Sequence, residues 1–262
     1  MQLRRLYKDD SSSITGCPTV YDTDGADLVV QGPEVDGDTA RQVQHPLPGE
    51  RAVRINRDTV TTALHRLRHP DSSREIEPFG TEFYSLFEGF KYSAFRLELL
   101  QRYTDPGEAE ALRRFHAGEP VLGPDDAGWW AELLRSARVR GAIVQRVHVV
   151  TEPLTDYLRF ELEVYAHSVA AGEDIRILPV APGEQDLDLP GHDYWLFDSR
   201  TLAVLGYDTD GRLDTVELVS DPAAVVRHSY WRDAALARAV PYAVYMCGHS
   251  QPGEEGVANL PS

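Results

Sequence analysis

Hydrophobic and polar positions follow two different periods along the chain, and these periods predict its strands and helices. In residues 19–31, two short runs rich in β-branched residues flank Asp24-Gly25. This pair suits the positive φ angles of a tight turn, so the region predicts a β-hairpin. Residues 50–55 alternate charged and apolar side chains and predict a third strand, and residues 56–58 are typical of a helix start. The apolar face of that helix would contain Val60, Leu64 and Leu67.

After residue 83 the pattern predicts alternating helices and strands. Aromatic residues recur between residues 83 and 95, which indicates packing in a core or a domain interface. Asp125-Asp126 is expected to cap one helix, and Asp221-Pro222 to begin the last long one. Helices are predicted near 107–117, from the Asp125-Asp126 cap to a stop at Gly141, near 155–170 and at 222–238. Strands are predicted at 142–150, 174–180, 192–198, 202–207 and 213–218.

This order predicts an α/β fold: a small β-sheet with one helix, followed by an α/β layered domain with a mixed sheet. Consecutive strands are expected to be parallel, and the turn at residues 208–212 predicts a hairpin. The predicted units are a β-rich module at 1–68, a polar linker with two prolines at 69–82, the α/β domain at 83–246 and a flexible tail at 247–262.

Charge and composition narrow the functional classes. The formal net charge is −16, which repels phosphate backbones and argues against direct binding to nucleic acid. No window approaches the ~20 apolar residues of a membrane span, so no membrane partner is expected. Cys17 and Cys247 are the two cysteines, and their spacing predicts neither a disulfide framework nor a metal site. A cytoplasmic protein is therefore expected.

The N-terminal module resembles a known family. The motifs are Ser11-Ser-Ser, Cys17, the hairpin at 19–31, the Leu-Pro-Gly turn at 47–49 and the strand at 50–55. They are similar to BldB-like developmental regulators of actinobacteria and to related short domains encoded beside WhiJ-type helix-turn-helix repressors. The resemblance covers about residues 1–67 and implies a small dimerising or partner-binding module. Cys17 precedes Pro18 without a nearby basic residue, so a structural thiol is the expectation there.

The second unit resembles a domain of unknown function that is frequent in actinobacteria. The resemblance covers residues 87–246 and is carried by the following segments: Phe87-Glu-Gly-Phe, Ala94-Phe-Arg-Leu-Glu, Phe115-His-Ala-Gly-Glu, residues 152–162 and residues 192–198. Members of that family lie near WhiJ-type regulators, which implies a shared complex for the two units.

A more distant resemblance concerns the segment Gly191–Asp198. A strand with a histidine that ends in aspartate is similar to the phospholipase D fold, whose active members carry His-x-Lys-x4-Asp. Here His192 takes the place of the nucleophile, but Tyr194 stands at the lysine position and Ser199 at the aspartate position, with Asp198 one residue early. Without the lysine, charge that develops on a phosphoryl oxygen lacks its local cation. The resemblance therefore implies a degenerate phospholipase D-like domain, unless an arginine substitutes in space.

Each candidate residue has a structural and a functional interpretation. His192 is the candidate catalytic group, yet it can equally form a hydrogen bond to a neighbouring loop. Arg146 and His148 share one face of their strand, which is either solvated or the wall of a cleft. Histidines 148 and 192 with Glu152 would form a metal site only if the fold gathered them, so no metal and no cofactor are expected. The candidates for a ligand site or an interface are Arg146, His148, Glu152, Tyr157, Arg159, Glu161, Arg176, His192, Asp193, Trp195 and Asp198.

Two functions remain open from the sequence. The first is a non-enzymatic accessory regulator that binds a WhiJ-type helix-turn-helix protein or a second copy of itself and senses a small ligand. The second is a phosphodiester-cleaving or related hydrolytic enzyme that uses His192 with arginine support. An open cleft around His192 with an arginine in reach would favour the enzyme, whereas a packed imidazole would argue against it.

Overall fold

Two β-sheets organise the chain. The structure is a computed structural model, and it describes residues 2–8, 18–25, 27–44, 48–68, 72–121, 128–181 and 189–249. Cys17 lies outside these residues. Within them, no helix is long and apolar enough to cross a membrane.

The smaller sheet has three antiparallel strands in the order β1-β2-β3. They are β1 (Leu3–Lys8), β2 (Thr19–Thr23) and β3 (Leu28–Gln31), so the predicted hairpin is confirmed. The strand predicted at 50–55 is wrong, because only the isolated bridge between Glu34 and Val53 forms there. Two helices complete this part, α1 (Gly37–Ala40) and α2 (Arg57–Arg68).

Helix α2 packs on the small sheet through a different face from the predicted one. Ala63 and Thr59 are buried, and Ala63 packs with Leu6 and Val20. Leu64 and Leu67 are exposed. Two small side chains, and not the two leucines, therefore face the small sheet.

The larger sheet has eight strands in the order β11-β7-β6-β5-β8-β9-β10-β4. Its strands are β4 (Ser73–Ile76), β5 (Ser93–Glu98), β6 (Ile143–Thr151), β7 (Asp174–Val180), β8 (Asp193–Phe197), β9 (Thr201–Tyr207), β10 (Leu213–Val219) and β11 (Val240–Pro241). Strands β5, β6 and β7 are parallel, whereas β8 pairs antiparallel with β5 and begins an antiparallel series. The mixed sheet is confirmed, and consecutive strands are parallel only where a helix connects them.

The helices lie on both faces of this sheet. They are α3 (Thr81–Gly89), α4 (Ala109–His116), α5 (Trp129–Val139), α6 (Asp156–Ala171), α7 (Pro222–Arg238) and α8 (Tyr242–His249), and a short 3₁₀ turn at Pro106–Glu108 precedes α4. The predicted cap of α5 lies outside the described residues, and Gly128 is the N-cap. Asp221 caps α7 as predicted, since its carboxylate accepts a bond from the Ala224 amide at 2.8 Å.

Part of the predicted linker belongs to the larger sheet. Strand β4, which includes Ile76, pairs with β10 at the sheet edge. Polar side chains flank the buried Ile76 side chain because an edge strand contacts the core on one face only. Arg66 of α2 forms an ion pair with Glu217 of β10 at 2.6 Å, so the small sheet's helix also contacts this edge.

The first residues of the predicted tail belong to a helix. Cys247 to His249 lie in the last turn of α8, which packs against the domain through Tyr245. The Tyr242 hydroxyl donates to the Leu162 carbonyl oxygen at 2.7 Å and fixes the start of this helix. The rest of the predicted tail lies outside the described residues.

Side-chain alternation along β5 decides where the polar groups lie. Phe95 and Leu97 point into the core that contains residues of α7. Ala94 points to the other face, where α3 and α5 pack. Because side chains alternate along a strand, Arg96 and Glu98 lie on the same face as Ala94, under α6.

Candidate functional site

A buried network of charged side chains lies between the larger sheet and α6. Strand pairing creates it, because β5 and β6 are in parallel register with Arg96 opposite Arg146 and Glu98 opposite His148. Asp193 joins from the start of β8. On this face of the sheet, polar side chains are therefore neighbours across three adjacent strands.

Two arginines neutralise part of this network. Arg146 bonds to Glu98 Oε1 at 2.8 Å and to Glu173 Oε1 at 2.9 Å. Arg96 bonds to Glu98 Oε1 and to Asp193 Oδ2, both at 3.2 Å. The Arg96 guanidinium also lies 5.6 Å from the centre of the Trp195 ring. Buried carboxylates require such partners, since a lone buried charge is strongly disfavoured.

Tyrosines connect the remaining groups. The Tyr165 hydroxyl donates to Glu98 Oε2 at 2.7 Å and lies 2.8 Å from His148 Nδ1. His148 Nε2 lies 2.9 Å from the Leu100 carbonyl oxygen, which can only accept, so Nε2 carries the proton of this bond. The Tyr157 hydroxyl lies 2.9 Å from Glu108 Oε2 and 3.2 Å from Glu161 Oε1.

The carboxyl groups of the network differ in their affinity for protons. Burial opposes ionisation of Glu98, but Arg146 and Arg96 outweigh it and lower the pKa of this carboxyl. Burial and the neighbouring Glu161 carboxylate raise the pKa of Glu108 to about 8. Burial, followed by the Glu98 charge, also raises the pKa of Glu161. Glu108 and Glu161 therefore hold protons more readily than Glu98 does.

His192 lies on the opposite face of the sheet. Its Nε2 is 2.9 Å from Nε2 of His228 in α7, and the ring also packs near Trp231. Burial, followed by the charge repulsion between the two rings, lowers the pKa of His192 to about 3. The Tyr194 hydroxyl donates to the His228 carbonyl oxygen at 2.9 Å. His192 is thus a half-buried, neutral imidazole whose Nε2 is engaged by His228.

Comparison with known proteins places the larger unit in a family. The family model DUF6879, described as a domain of unknown function, matches residues 81–247, which is more than half of the chain. The chain belongs to this family. The resemblance of the second unit to a domain of unknown function is thereby confirmed. No curated protein matches the chain in sequence.

Solved structures give weaker similarities. Nuc, a phospholipase D family member from Salmonella typhimurium, is 14% identical with a TM-score of 0.38, and the match covers 65% of this chain and 97% of Nuc. NucT from Helicobacter pylori is 11% identical with a TM-score of 0.37, with 65% and 97% covered. The archaeal chromatin protein TrmBL2 is 12% identical with a TM-score of 0.36, with 70% and 62% covered. Likenesses of this size assign no site to the DUF6879 domain.

The structure gathers five sequence-predicted residues and separates the others. Arg146, His148, Glu161, Tyr157 and Asp193 lie in the buried network of the DUF6879 domain. Trp195 borders it through Arg96.

The remaining predicted residues lie elsewhere. Glu152 accepts bonds from the Tyr245 hydroxyl and lies 2.9 Å from His249 Nε2. Arg159 forms an exposed ion pair with Asp156, and Arg176 bonds to Asp174 on the face that carries α7. Histidines 148 and 192 with Glu152 are therefore not one metal site.

Several residues of the network were not predicted. Arg96 and Glu98 alternate with Phe95 and Leu97, which is the same pattern that singled out Arg146 and His148. That pattern was available in the sequence. The other missed residues are Tyr103, Glu108, Tyr165, Glu173 and Tyr207, which come from loops, helices and strands far apart in the chain.

Asp198 has a structural role in the DUF6879 domain. Its carboxylate accepts bonds from the backbone amides of Lys91, Tyr92 and Ser93 at 2.9, 2.7 and 2.9 Å. Burial alone would raise its pKa, but these amides outweigh burial and lower the pKa of Asp198. The residue thus ties the end of β8 to the start of β5.

We expect Asp198→Asn to lower the free energy of unfolding by about 1–2 kcal/mol, because one acceptor oxygen and the charge are lost. Asparagine tolerates the positive φ of 52° at this position, so the backbone is not the cause of the loss. Chemical denaturation measures the change. Asp210→Asn in the exposed turn is the matched control and should change stability by less than about 0.5 kcal/mol. Equal stability of the two variants would contradict the role of Asp198.

Proposed function

We propose that the protein is a non-enzymatic accessory regulator that binds a WhiJ-type helix-turn-helix transcription regulator through an exposed aromatic groove. The observation that carries the proposal is a set of exposed rings beside a groove of about 590 Å³. Phe79 is 44% exposed, Tyr84 38% and Trp129 45%. Aromatic residues are the most frequent sources of binding energy in protein interfaces.

The aromatic groove is defined by its lining. One side carries Phe79 and Tyr84, and Trp129 extends that side because its ring centre lies 5.2 Å from that of Tyr84. Among the described residues, the lining consists of Pro78, Phe79, Tyr84, Asp105, Pro106, Gly107, Arg212 and Leu213. Apolar rings with one carboxylate and one guanidinium form a surface that suits a peptide chain better than a small charged substrate.

The backbone at Phe79 supports a binding role. Its φ angle is 57°, a region that bulky residues avoid at a cost of about 1–3 kcal/mol. This conformation leaves the ring at the groove. Strain that exposes an aromatic ring is expected where the ring serves recognition.

Charge favours a basic partner. The chain has a formal net charge of −16, and a DNA-binding helix-turn-helix protein presents basic surface. Complementary charge speeds association and fixes orientation. The resemblance of the N-terminal module to domains encoded beside WhiJ-type regulators suggests the same class of partner.

The geometry around His192 does not favour the enzymatic alternative. A nucleophilic or basic imidazole needs a free nitrogen that faces its substrate, whereas Nε2 of His192 faces His228. The residue at the lysine position, Tyr194, is buried and bonded to the backbone. The segment Gly191–Asp198 therefore serves the fold in this proposal.

Binding to a purified WhiJ-type regulator tests the proposal. We expect a complex with a dissociation constant in the micromolar range or below by calorimetry. Phe79→Asn and Trp129→Ser should each weaken it about tenfold or more. Asparagine keeps the positive φ at position 79, so the fold is preserved while the ring is removed.

Val139→Ser provides the control for these variants. Val139 is 89% exposed at the end of α5 and does not line the groove. Its variant should bind as tightly as the natural chain. No complex at concentrations of about 100 µM would exclude a regulator as the partner, and unchanged affinity of both groove variants would exclude the groove.

A further inference from the structure

We propose that Glu98, His148 and Glu161 bind a divalent transition-metal ion inside the buried network. This inference goes beyond the proposed function, since the aromatic groove and its partner do not require it. Each of the three residues offers one donor atom, and these atoms all lie within 4.8 Å of one another. They come from β5, β6 and α6, which hold them from two layers of the domain.

The distances approach those of a coordinated ion. His148 Nδ1 lies 3.6 Å from Glu98 Oε2 and 3.9 Å from Glu161 Oε2. Donors about 2.1 Å from a tetrahedral zinc ion are about 3.4 Å apart. Shifts of a few tenths of an ångström, within the range of side-chain adjustment, would therefore bring these two donor–donor distances to the value expected around zinc.

His148 has the orientation of a metal ligand. Its Nε2–H donates to the Leu100 carbonyl oxygen, which leaves Nδ1 to face the two carboxylates. Metal-binding histidines commonly donate their second ring N–H to a backbone carbonyl, because this bond fixes the tautomer and orients the ring. The Tyr165 hydroxyl oxygen, 2.8 Å from Nδ1, supplies a fourth donor atom beside the ion.

Glu161 provides independent support. Its Oε2 atom is buried and has no hydrogen-bond partner among the residues that the structure describes, although the side chain belongs to a residue that is only 5% exposed. Leaving a buried carboxylate oxygen without a partner is costly. This atom points toward His148 Nδ1, where a cation would satisfy it.

The network contains more carboxyl groups than positively charged groups. Five carboxyl groups belong to it, and the permanently charged groups bonded to them within the described residues are Arg96 and Arg146. The five are Glu98, Glu108, Glu161, Glu173 and Asp193. When all five are ionised they outnumber the two guanidinium groups by about three charges, and a divalent ion would offset most of that difference.

The donor set indicates the class of ion. One imidazole nitrogen with carboxylate oxygens suits zinc, manganese or ferrous iron better than magnesium or calcium, which prefer oxygen alone. No thiolate takes part, so a copper(I) site is not indicated.

Metal titration of the full chain tests this site. The chain is stripped with a chelator, dialysed and titrated with Zn²⁺ and with Co²⁺, and bound metal is counted after gel filtration. We expect one ion per chain and a higher Tm in its presence. Glu161→Gln, which keeps the shape of the side chain, should weaken binding at least tenfold.

Glu108→Gln is the matched control. It removes a carboxylate of the same network that bonds to Tyr157 and is not one of the three donors. Its affinity for Zn²⁺ should stay within about threefold of the natural chain. No bound ion, equal affinity of E161Q and the natural chain, or equal losses in both variants would each overturn the proposal.

A second measurement locates the bound ion if E161Q does not fold. Mn²⁺ broadens the NMR signals of nearby protons, so substoichiometric Mn²⁺ added to the natural chain should broaden the His148 ring signals first. The His192 and His228 rings on the other face serve as internal references. Broadening of those rings before His148 would place the ion elsewhere and overturn the site.

Discussion

Arg146→Met should lower the free energy of unfolding by about 3–5 kcal/mol, as expected when a buried ion pair loses one partner. Arg146 bonds to Glu98 at 2.8 Å and to Glu173 at 2.9 Å, so the substitution removes a guanidinium from two buried carboxylates. Glu98 keeps its bond to Arg96 at 3.2 Å, whereas Glu173 loses its ion pair. Methionine has a similar length, which limits any loss from packing. Urea denaturation followed by circular dichroism measures the change.

An exposed arginine provides the control for Arg146. Arg159 pairs with Asp156 on the solvent side of α6, and Arg159→Met should cost at most about 1 kcal/mol. A similar small loss for Arg146→Met would mean that the buried network contributes little to stability. It would also show that the carboxylates find other partners or bind protons at little cost.

The His192–His228 pair should make the protein less stable below pH 6.5. Unfolded histidines titrate near pH 6.5, whereas the folded pKa values are about 3 for His192 and about 4 for His228. Burial is the main cause of both shifts. Repulsion from Arg66 and Arg227 adds to the shift of His228, while its bond to the Ala224 carbonyl opposes it. Tyr194 packs against His228 and stays neutral in this range.

Proton uptake by the unfolded chain makes the protein less stable in acid. Below pH 6.5 the unfolded chain binds protons at these two positions and the folded chain does not, so acid favours unfolding. Stability is therefore fully present above pH 6.5 and is lost as the pH falls toward 4. His228 is buried and contributes up to about 1.4 kcal/mol per pH unit, and His192, which is partly exposed, contributes less. Between pH 6.5 and 4.5 the two histidines together should lower the free energy of unfolding by about 3 kcal/mol.

The double variant His192→Gln, His228→Gln isolates this contribution. Glutamine cannot take up a proton, so the difference in stability between the natural chain and the variant should shrink or reverse as the pH falls from 6.5 to 4.5. His116→Gln, at an exposed position of α4, should follow the natural chain throughout. Parallel stability curves for the natural chain and the double variant would show that the pair does not control the acid response.

The sequence predicted the helices and strands of the larger domain well because its local signals agree with the fold. Thr155 and Gly172 bound α6, and Gly172 takes the left-handed φ of 116° that the pattern required. The errors fall where local pattern and tertiary contacts differ. β1, with the sequence Leu3-Arg-Arg-Leu-Tyr-Lys8, does not alternate strictly and still becomes an edge of the small sheet. Residues 50–55 alternate roughly but form only one bridge.

The candidate site was predicted in part for a related reason. A polar residue inside an apolar strand is visible in the sequence, and this pattern found Arg146 and His148. The pairing of β5 with β6 and the antiparallel entry of β8 decide which such residues meet, and no local pattern encodes them. His192 and Asp193 are adjacent in the segment Gly191–Asp198, but side chains alternate between the two faces of the sheet and therefore separate them. One residue of offset sends their side chains to opposite faces of the sheet.

Site-specific photo-crosslinking tests the central claim most directly. A photoreactive phenylalanine analogue replaces Phe79, and in a control chain it replaces Val139. Each chain is mixed with a purified WhiJ-type helix-turn-helix regulator and irradiated. The account predicts a crosslinked pair from position 79 and little or none from position 139. A regulator that binds but crosslinks equally from both positions, or not at all from position 79, would contradict it.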